Sequence, residues 1–388
     1  MKIGILTYHR LVNRGSVLQA YALQKLLSSK LPRAQVEIVD YSSRKMELLS
    51  GWRFVRNRWP IPFDFHELAE LRRMRRFGRR HLVVSGRKLR TDSTRRTMSW
   101  LAESGYDAVV VGSDVVWEVQ PRRYSIGGIT PYHLPGATPF TKASFAVSMD
   151  PVVDYPSRIR PRLREMADHV SAFDFISIRD EATRGVLLEH GVAPERIHYM
   201  PDPTLLVDIG ELVAEASPVK RADRPVLAVD LPPALARRAH LAGRLLDWEV
   251  WDWRHLRGPA VDRPLPLGMD IGQVLAAYRE VDVLVTDRFH GSILASCIGG
   301  AGVVFLEHLR KWPAANSKGR DLFQRAGAEG LVCRAEAEGP TPRLLAEHVR
   351  LAGHSAAELR AGLERVGRNA GASSMDRLTD LLLARSAA

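Results

Sequence analysis

The feature that most constrains this 388-residue chain is a repeated unit: a short apolar, β-rich run that ends in a polar turn and resumes as an apolar helix. Its clearest copy is Asp282-Val-Leu-Val-Thr-Asp287-Arg288-Phe289-His290-Gly291-Ser292, which continues as Ile-Leu-Ala-Ser-Cys-Ile. The run Val283–Val285 reads as a short buried strand, and the segment after it as a helix. The chain also opens this way. Lys2–Thr7 reads as a strand, Val17–Leu27 as a helix and Val36–Tyr41 as a second strand. Strands joined through a helix lie parallel, with a right-handed crossover. The pattern therefore predicts an α/β fold, in which ligands gather outside the carboxyl ends of the strands.

Further copies follow in order. Tyr106-Asp-Ala-Val-Val-Val-Gly112-Ser113-Asp114, Ser144–Met149 and Phe175-Ile-Ser-Ile-Arg179 read as strands. Ala216–Arg224, charged and carrying Pro218, then reads as a linker. A second alternation begins at Val226–Asp230, with a helix over Ala234–Leu246, a strand at Glu249–Trp253, a helix over Ile271–Arg279 and a strand at Gly302–Glu307. The expectation is two domains, 1–215 and 216–388, which the length supports. The first carries a basic helical insertion at about 44–99, rich in aromatics (Trp52, Phe54, Trp59, Phe63, Phe65) and then in arginine. The tail from Pro342 reads as helical, and one of its helices is a candidate to cross back to the first domain.

Composition narrows the function classes. Apolar residues at 45% and charged residues at 26% are those of a soluble globular protein. The longest apolar run, Ile293–Leu306, is shorter than a membrane span and holds Gly299, Gly300 and Gly302. The amino terminus lacks signal-peptide character. Cys297 and Cys333 have no metal-ligand spacing, which fits a reduced, cytoplasmic compartment. Neither a Walker loop nor H-E-x-x-H nor G-x-S-x-G is present. The loop after the first strand lacks G-x-G-x-x-G, so Asp40 is not assigned to a ribose. A net charge of +12 fits nucleic acid, an anionic membrane or anionic substrates alike. No nucleic-acid recognition module accompanies it. Leu71, Met74, Phe77 and Leu82 leave the arginines of Arg72–Arg80 on the other helix face. That face reads as solvated, with attraction to anionic lipid as the sharper alternative.

Several residues are placed for chemistry. Asp287, Arg288 and His290 stand at a strand's carboxyl end: an acid, a fixed cation and a titratable imidazole, with Gly291 allowing close backbone approach. An Asp cap, a surface Arg and a hydrogen-bonded His would give the same letters. Ser113 and Asp114 end another strand, and Asp114 is a candidate base or a plain turn former. Arg179 sits at a further carboxyl edge, where pairing with a local acid is the commoner fate. Asn13, Gly15 and Ser16 open a helix, a setting that fits an anion as well as a simple Ser16 cap. Asp202, in the rigid turn Met200-Pro-Asp-Pro-Thr204, reads as a backbone shaper.

Taken in order, these pieces resemble the polysaccharide pyruvyl transferase family. The resemblance rests on Gly15-Ser-Val-Leu-Gln-Ala-Tyr-Ala22, Val111-Gly-Ser-Asp-x-Val-Trp117, Ser144-Phe-Ala-Val-Ser148, Ile176-Ser-Ile-Arg-Asp180, Asp202-Pro-Thr-Leu-Leu206 and Val285-Thr-Asp-Arg-Phe-His-Gly291. Relatives carry Thr-Asp-Ser-Phe-His-Gly or Ser-Arg-Leu-His-Gly at the last place, and this chain mixes the two. The resemblance implies two Rossmann-like domains facing across a cleft, similar to GT-B glycosyltransferases. It also implies transfer of the enolpyruvyl unit of phosphoenolpyruvate onto a sugar, as a pyruvate ketal, with no cofactor or metal. Arg288 and Arg179 would then hold the donor's phosphate and carboxylate, with Gly291, Ser113, Asn13, Gly15 and Ser16 as further substrate contacts. His290 would protonate the methylene carbon and Asp114 would accept the hydroxyl proton. The acceptor would be a glycan precursor, lipid-linked or soluble, with peripheral contact at the inner membrane face. A nucleotide-sugar-dependent GT-B glycosyltransferase and a non-catalytic binding protein are the alternatives.

Overall fold

The computed structural model describes the chain apart from residues 11–12, 48–64, 122–126, 151–156, 215, 217–218, 221–222, 255–256, 266–268, 309–316, 336–338 and 385–388, and apart from the side chains of 65–71 and 370–371. Trp52, Phe54, Trp59 and Phe63 therefore lie outside the described residues. The chain divides into two compact units. The first comprises Met1–Asp150, Asp154–Val207 and the tail Asn369–Ala388, while the second is built on Asp208–Arg368. The divide thus falls a few residues before the linker read at Ala216–Arg224, and the end of the chain returns to the first unit.

The first unit is built on a seven-stranded sheet, all of whose pairings are parallel. Its strands are β1 (Lys2–Leu6), β2 (Gln35–Ser42), β3 (Val84–Arg90), β4 (Ala108–Asp114), β5 (Thr141–Val147), β6 (Ile176–Ile178) and β7 (Ile197–Tyr199). They lie in the order β3-β2-β1-β4-β5-β6-β7. The order reverses between β1 and β4, which is where open α/β sheets bind ligands. Strands β1, β4 and β5 are almost wholly buried, as expected of a parallel sheet covered on both faces. Helix Arg14–Lys30 packs Ala20, Leu23 and Leu27 onto Ile3, Ile5, Ile38 and Val110. Met375, Leu378 and Leu382 of the tail helix join the same core. Leu378 is fully buried, and truncating such a leucine to alanine costs about 2–5 kcal/mol.

The stretch 44–99 proves to be only partly an insertion. Its strand β3 is the sheet's edge, and helix Thr94–Ala102 follows it with a Ser93 cap. Between β2 and β3 lies helix Phe65–His81, with Met74 and Phe77 buried. Phe77 meets Tyr21 edge-on at 5.9 Å and stacks on His81 at 4.4 Å. Arg72, Arg75, Arg76 and Arg79 lie exposed on the same helix.

The second unit repeats the plan with six parallel strands: β8 (Val226–Asp230), β9 (Glu249–Asp252), β10 (Arg263–Pro264), β11 (Val283–Thr286), β12 (Gly302–His308) and β13 (Val332–Ala335). Their order, β10-β9-β8-β11-β12-β13, reverses between β8 and β11. Register places Thr286 beside Asp230 and Val229 beside Asp252. Each unit is therefore a Rossmann-like doubly wound domain. Among the described residues, no helix is long and apolar enough to cross a membrane.

Candidate functional site

In the first unit the chemistry collects where the strand order reverses. Strand β4 ends in Gly112-Ser113-Asp114. Gly112 has φ +130°, and a Cβ there would lie 2.2 Å from the Phe145 carbonyl oxygen, so only glycine fits. Asp114 itself has φ +92°, a costly conformation for a residue with a side chain and one that clusters at functional positions. Its Oδ1 accepts the Val115 amide at 2.9 Å, and its Oδ2 accepts the Ser16 hydroxyl. The Arg179 guanidinium lies 3.6 Å from Oδ1. Asn13, not Ser16, caps the first helix, its Oδ1 accepting the Gly15 amide at 3.0 Å. Ser16 is freed from capping by being one turn further in, where it is buried against Asp114.

Arg179 is the hub of this cluster. Its Nη1 donates to Asp202 Oδ2 at 2.8 Å, and Gln19 Nε2 donates to the same oxygen at 2.5 Å. The other Asp202 oxygen accepts the Thr204 amide at 3.1 Å and its hydroxyl at 2.6 Å. Ser16, Gln19, Asp114, Arg179 and Asp202 are all buried. The structure thus gathers Ser16, Asp114 and Arg179, three of the residues singled out from sequence, and adds Gln19 and Asp202. Gln19 was findable, because it lies one turn after Ser16 on the same helix. Asp202 does more than shape its turn: it is the principal counterion of Arg179. Ser113 is fully buried, with a hydroxyl that has no hydrogen-bond partner among the described residues. Its carbonyl accepts the Thr7 hydroxyl at 3.3 Å, tying the ends of β1 and β4 together.

Asp40, at the end of β2, is engaged structurally. Arg10 grips it with two bonds of 2.7 Å, and His9 Nε2 lies 3.4 Å away. Burial raises its carboxyl, but the bonds from His9 and Arg10 outweigh burial and hold it below the ordinary value.

In the second unit, the segment after β11 forms the matching edge. The Arg288 amide donates to Thr286 Oγ1 at 3.0 Å, turning the chain into helix Phe289–Leu294. Gly291 lies inside that turn, where a Cβ would sit 3.3 Å from Arg288 Cβ and 3.4 Å from Thr286 Oγ1. The Arg288 guanidinium is about half exposed, its side chain at 53%, with Nε 3.3 Å from Asp287 Oδ1. His290 is half-buried, its ring edge-on to Phe289 at 5.5 Å. A half-exposed cation and an imidazole two residues apart can serve different tasks, holding an anion and moving a proton. Among the described residues no group of three or more His, Cys, Asp or Glu is arranged to hold a metal ion.

Two Rossmann-like domains, each with polar residues at its strand-order reversal, define the GT-B class of architecture. Solved structures agree on this fold. A UDP-N-acetylglucosamine 2-epimerase from Listeria monocytogenes is similar with a TM-score of 0.51 and 12% identity, over 97% of this chain and 94% of that one. HepE from Anabaena, solved with UDP, gives 0.51 and 12% over 99% and 100%. MnaA from S. aureus, also solved with UDP, gives 0.51 and 10% over 99% and 96%. No functionally curated protein shows significant sequence similarity. Residues 13–305, more than half the chain, match the polysaccharide pyruvyl transferase family, and the chain belongs to it.

Proposed function

We propose that this protein transfers the enolpyruvyl unit of phosphoenolpyruvate onto a sugar of a cell-surface glycan precursor, forming a pyruvate ketal. The observation that carries the reading is the pairing, on one short turn, of a half-exposed Arg288 with His290, within the matched family segment. Phosphoenolpyruvate presents a phosphate and a carboxylate, and a guanidinium binds either through paired hydrogen bonds. His290 then gives a proton to the methylene carbon, which becomes a methyl group. Two sugar hydroxyls in turn bond to the adjacent carbon, each losing a proton, as the carbon–oxygen bond to phosphate breaks. Inorganic phosphate leaves with one of those protons, and the other restores the protonated His290.

On the first unit, Arg179 was expected to hold the donor, but it is buried with its charge balanced by Asp202 and Asp114, so in this proposal it orders that cluster, with Ser16, Ser113, Asn13 and Gly15 at the same edge. Asp114 was expected to accept a hydroxyl proton. Its oxygens are already engaged by Ser16, Val115 and Arg179, so in this proposal it orients Ser16 and Arg179, and an acceptor hydroxyl would have to displace Ser16 to reach it. The reaction uses no cofactor beyond its phosphorylated co-substrate. The acceptor is proposed to be presented on the cytoplasmic side of a membrane, which the exposed arginines of helix Phe65–His81 would approach peripherally. Mass spectrometry of a glycan acceptor incubated with the protein and phosphoenolpyruvate tests the reading. A gain of one pyruvate less one water, with release of phosphate, supports it. Transfer from a nucleotide-sugar instead would replace it.

A further inference from the structure

Arg254 follows strand β9 and meets both carboxylates at the strand-order reversal of the second unit. Its Nε donates to Asp230 Oδ1 at 2.9 Å, and its Nη2 donates to Asp287 Oδ1 at 3.3 Å. Its own amide donates to Asp252 Oδ1 at 2.8 Å, and Asp252 Oδ2 is held by His240 Nε2 at 2.8 Å. The backbone that carries Arg254 is therefore fixed from below by a buried His–Asp pair. The same oxygen of Asp287 lies 3.3 Å from Arg254 Nη2 and 3.3 Å from Arg288 Nε. One carboxylate oxygen is shared between two guanidiniums, of which Arg254 is the more enclosed: its side chain is 25% exposed against 53% for Arg288.

We infer that Arg254 is a positioning residue that engages Asp287 and so leaves the charge of Arg288 available to an anionic substrate. Coulomb attraction grows steeply as charges close, and a carboxylate without its second partner swings fully onto the first. Without Arg254, Asp287 would neutralise Arg288 where the proposed donor is to bind. With Arg254 in place, Asp287 is divided between two cations and Arg288 retains net attraction for phosphate or carboxylate. Lysine is a poor substitute, because a single ammonium lacks the planar fork that reaches Asp230 and Asp287 from different nitrogens. The ligand assignment rests on the pyruvyl-transfer reading, but the geometry of Asp287 and Arg288 does not.

The test combines a binding cycle with a structure. Phosphoenolpyruvate binding is measured by calorimetry for wild type, Arg254→Met and the double variant Arg254→Met/Asp287→Asn. The single variant should bind about tenfold more weakly, the scale of one charge-assisted contact. The double variant should recover most of that loss, which a merely structural role for Arg254 would not allow. Single-variant binding as tight as wild type, or a double variant no tighter than the single, overturns the inference. Crystal structures of wild type and Arg254→Met decide the same point without a ligand: the Asp287 carboxylate should close onto Arg288, and an unmoved pair overturns it. Absence of phosphoenolpyruvate binding by wild type would defeat the functional reading and leave Arg254 to be judged on the crystal comparison.

Discussion

Arg179 Nη1 and Asp202 Oδ2 lie 2.8 Å apart with both side chains almost wholly removed from water, at 3% and 0% exposure. Removing one member of a buried ion pair strands the other's charge, which costs far more than the pair's own net contribution. Asp202→Ala should therefore destabilise the protein by about 3–5 kcal/mol, measured by denaturant unfolding of the first unit. Asp202→Asn, which keeps the shape and its acceptor oxygen, should cost less. A loss within about 0.5 kcal/mol for the alanine variant would mean that Arg179 is satisfied elsewhere.

His133 gives a pH signature. It is fully buried, and its Nδ1 accepts the Thr130 amide at 3.0 Å, which leaves the ring proton on Nε2, 3.5 Å from the Trp117 carbonyl. Burial pushes its imidazole down from 6.5 to about 4. The unfolded chain takes up this proton near pH 6.5, and the folded chain only near pH 4, so the unfolded state binds more protons in between. Stability should fall as pH drops through that window, by an amount on the order of 3 kcal/mol. In His133→Asn, which retains an acceptor for Thr130, this part of the pH dependence should be absent. An unchanged slope would place the titrating group elsewhere.

The arginine face of helix Phe65–His81 gives a salt-dependent prediction. Arg72, Arg75, Arg76 and Arg79 are exposed, and each arginine near an anionic leaflet adds about 1 kcal/mol of attraction, screened as salt rises. Flotation with phosphatidylserine vesicles should capture the protein at low salt and lose it when the four are changed to glutamate. Capture that is insensitive to those charges, or to anionic lipid, would leave the helix a solvated face.

Much of the fold was legible because parallel strands buried on both faces write continuous apolar runs, as in Val109-Val-Val111 and Val283-Leu-Val285. Strand β3, Val-Ser-Gly-Arg-Lys-Leu-Arg, was not, because an edge strand is half solvated and its charges masked it within a basic stretch. The site shows the same division. Asp114, Arg179, Arg288 and His290 stood out because each lies at a strand's carboxyl end or within a few residues of it. The pairings of Asp202 with Arg179 across 23 residues, and of Arg254 with Asp287 across 33, did not, because each depends on a partner far along the chain. Register between strands, which no local pattern displays, brings those pairs together. The Asn13 cap was overlooked for a simpler reason, since Asn and Ser are near-equal caps and only the backbone shows which residue begins the helix.

In the proposed transfer from phosphoenolpyruvate, Arg288 and His290 act at different stages. Arginine is always charged and makes a poor proton donor, whereas an imidazole titrates near neutrality. The most direct measurement pairs donor binding with single-turnover phosphate release, in the presence of acceptor, for wild type, Arg288→Ala and His290→Ala. Wild type should bind phosphoenolpyruvate and release phosphate. Arg288→Ala should lose donor affinity, while His290→Ala should bind the donor and release phosphate on the order of 10²–10⁴-fold more slowly. A His290→Ala protein that releases phosphate at the wild-type rate would contradict an acid role for His290, and a wild type that binds a nucleotide-sugar and not phosphoenolpyruvate would contradict pyruvyl transfer.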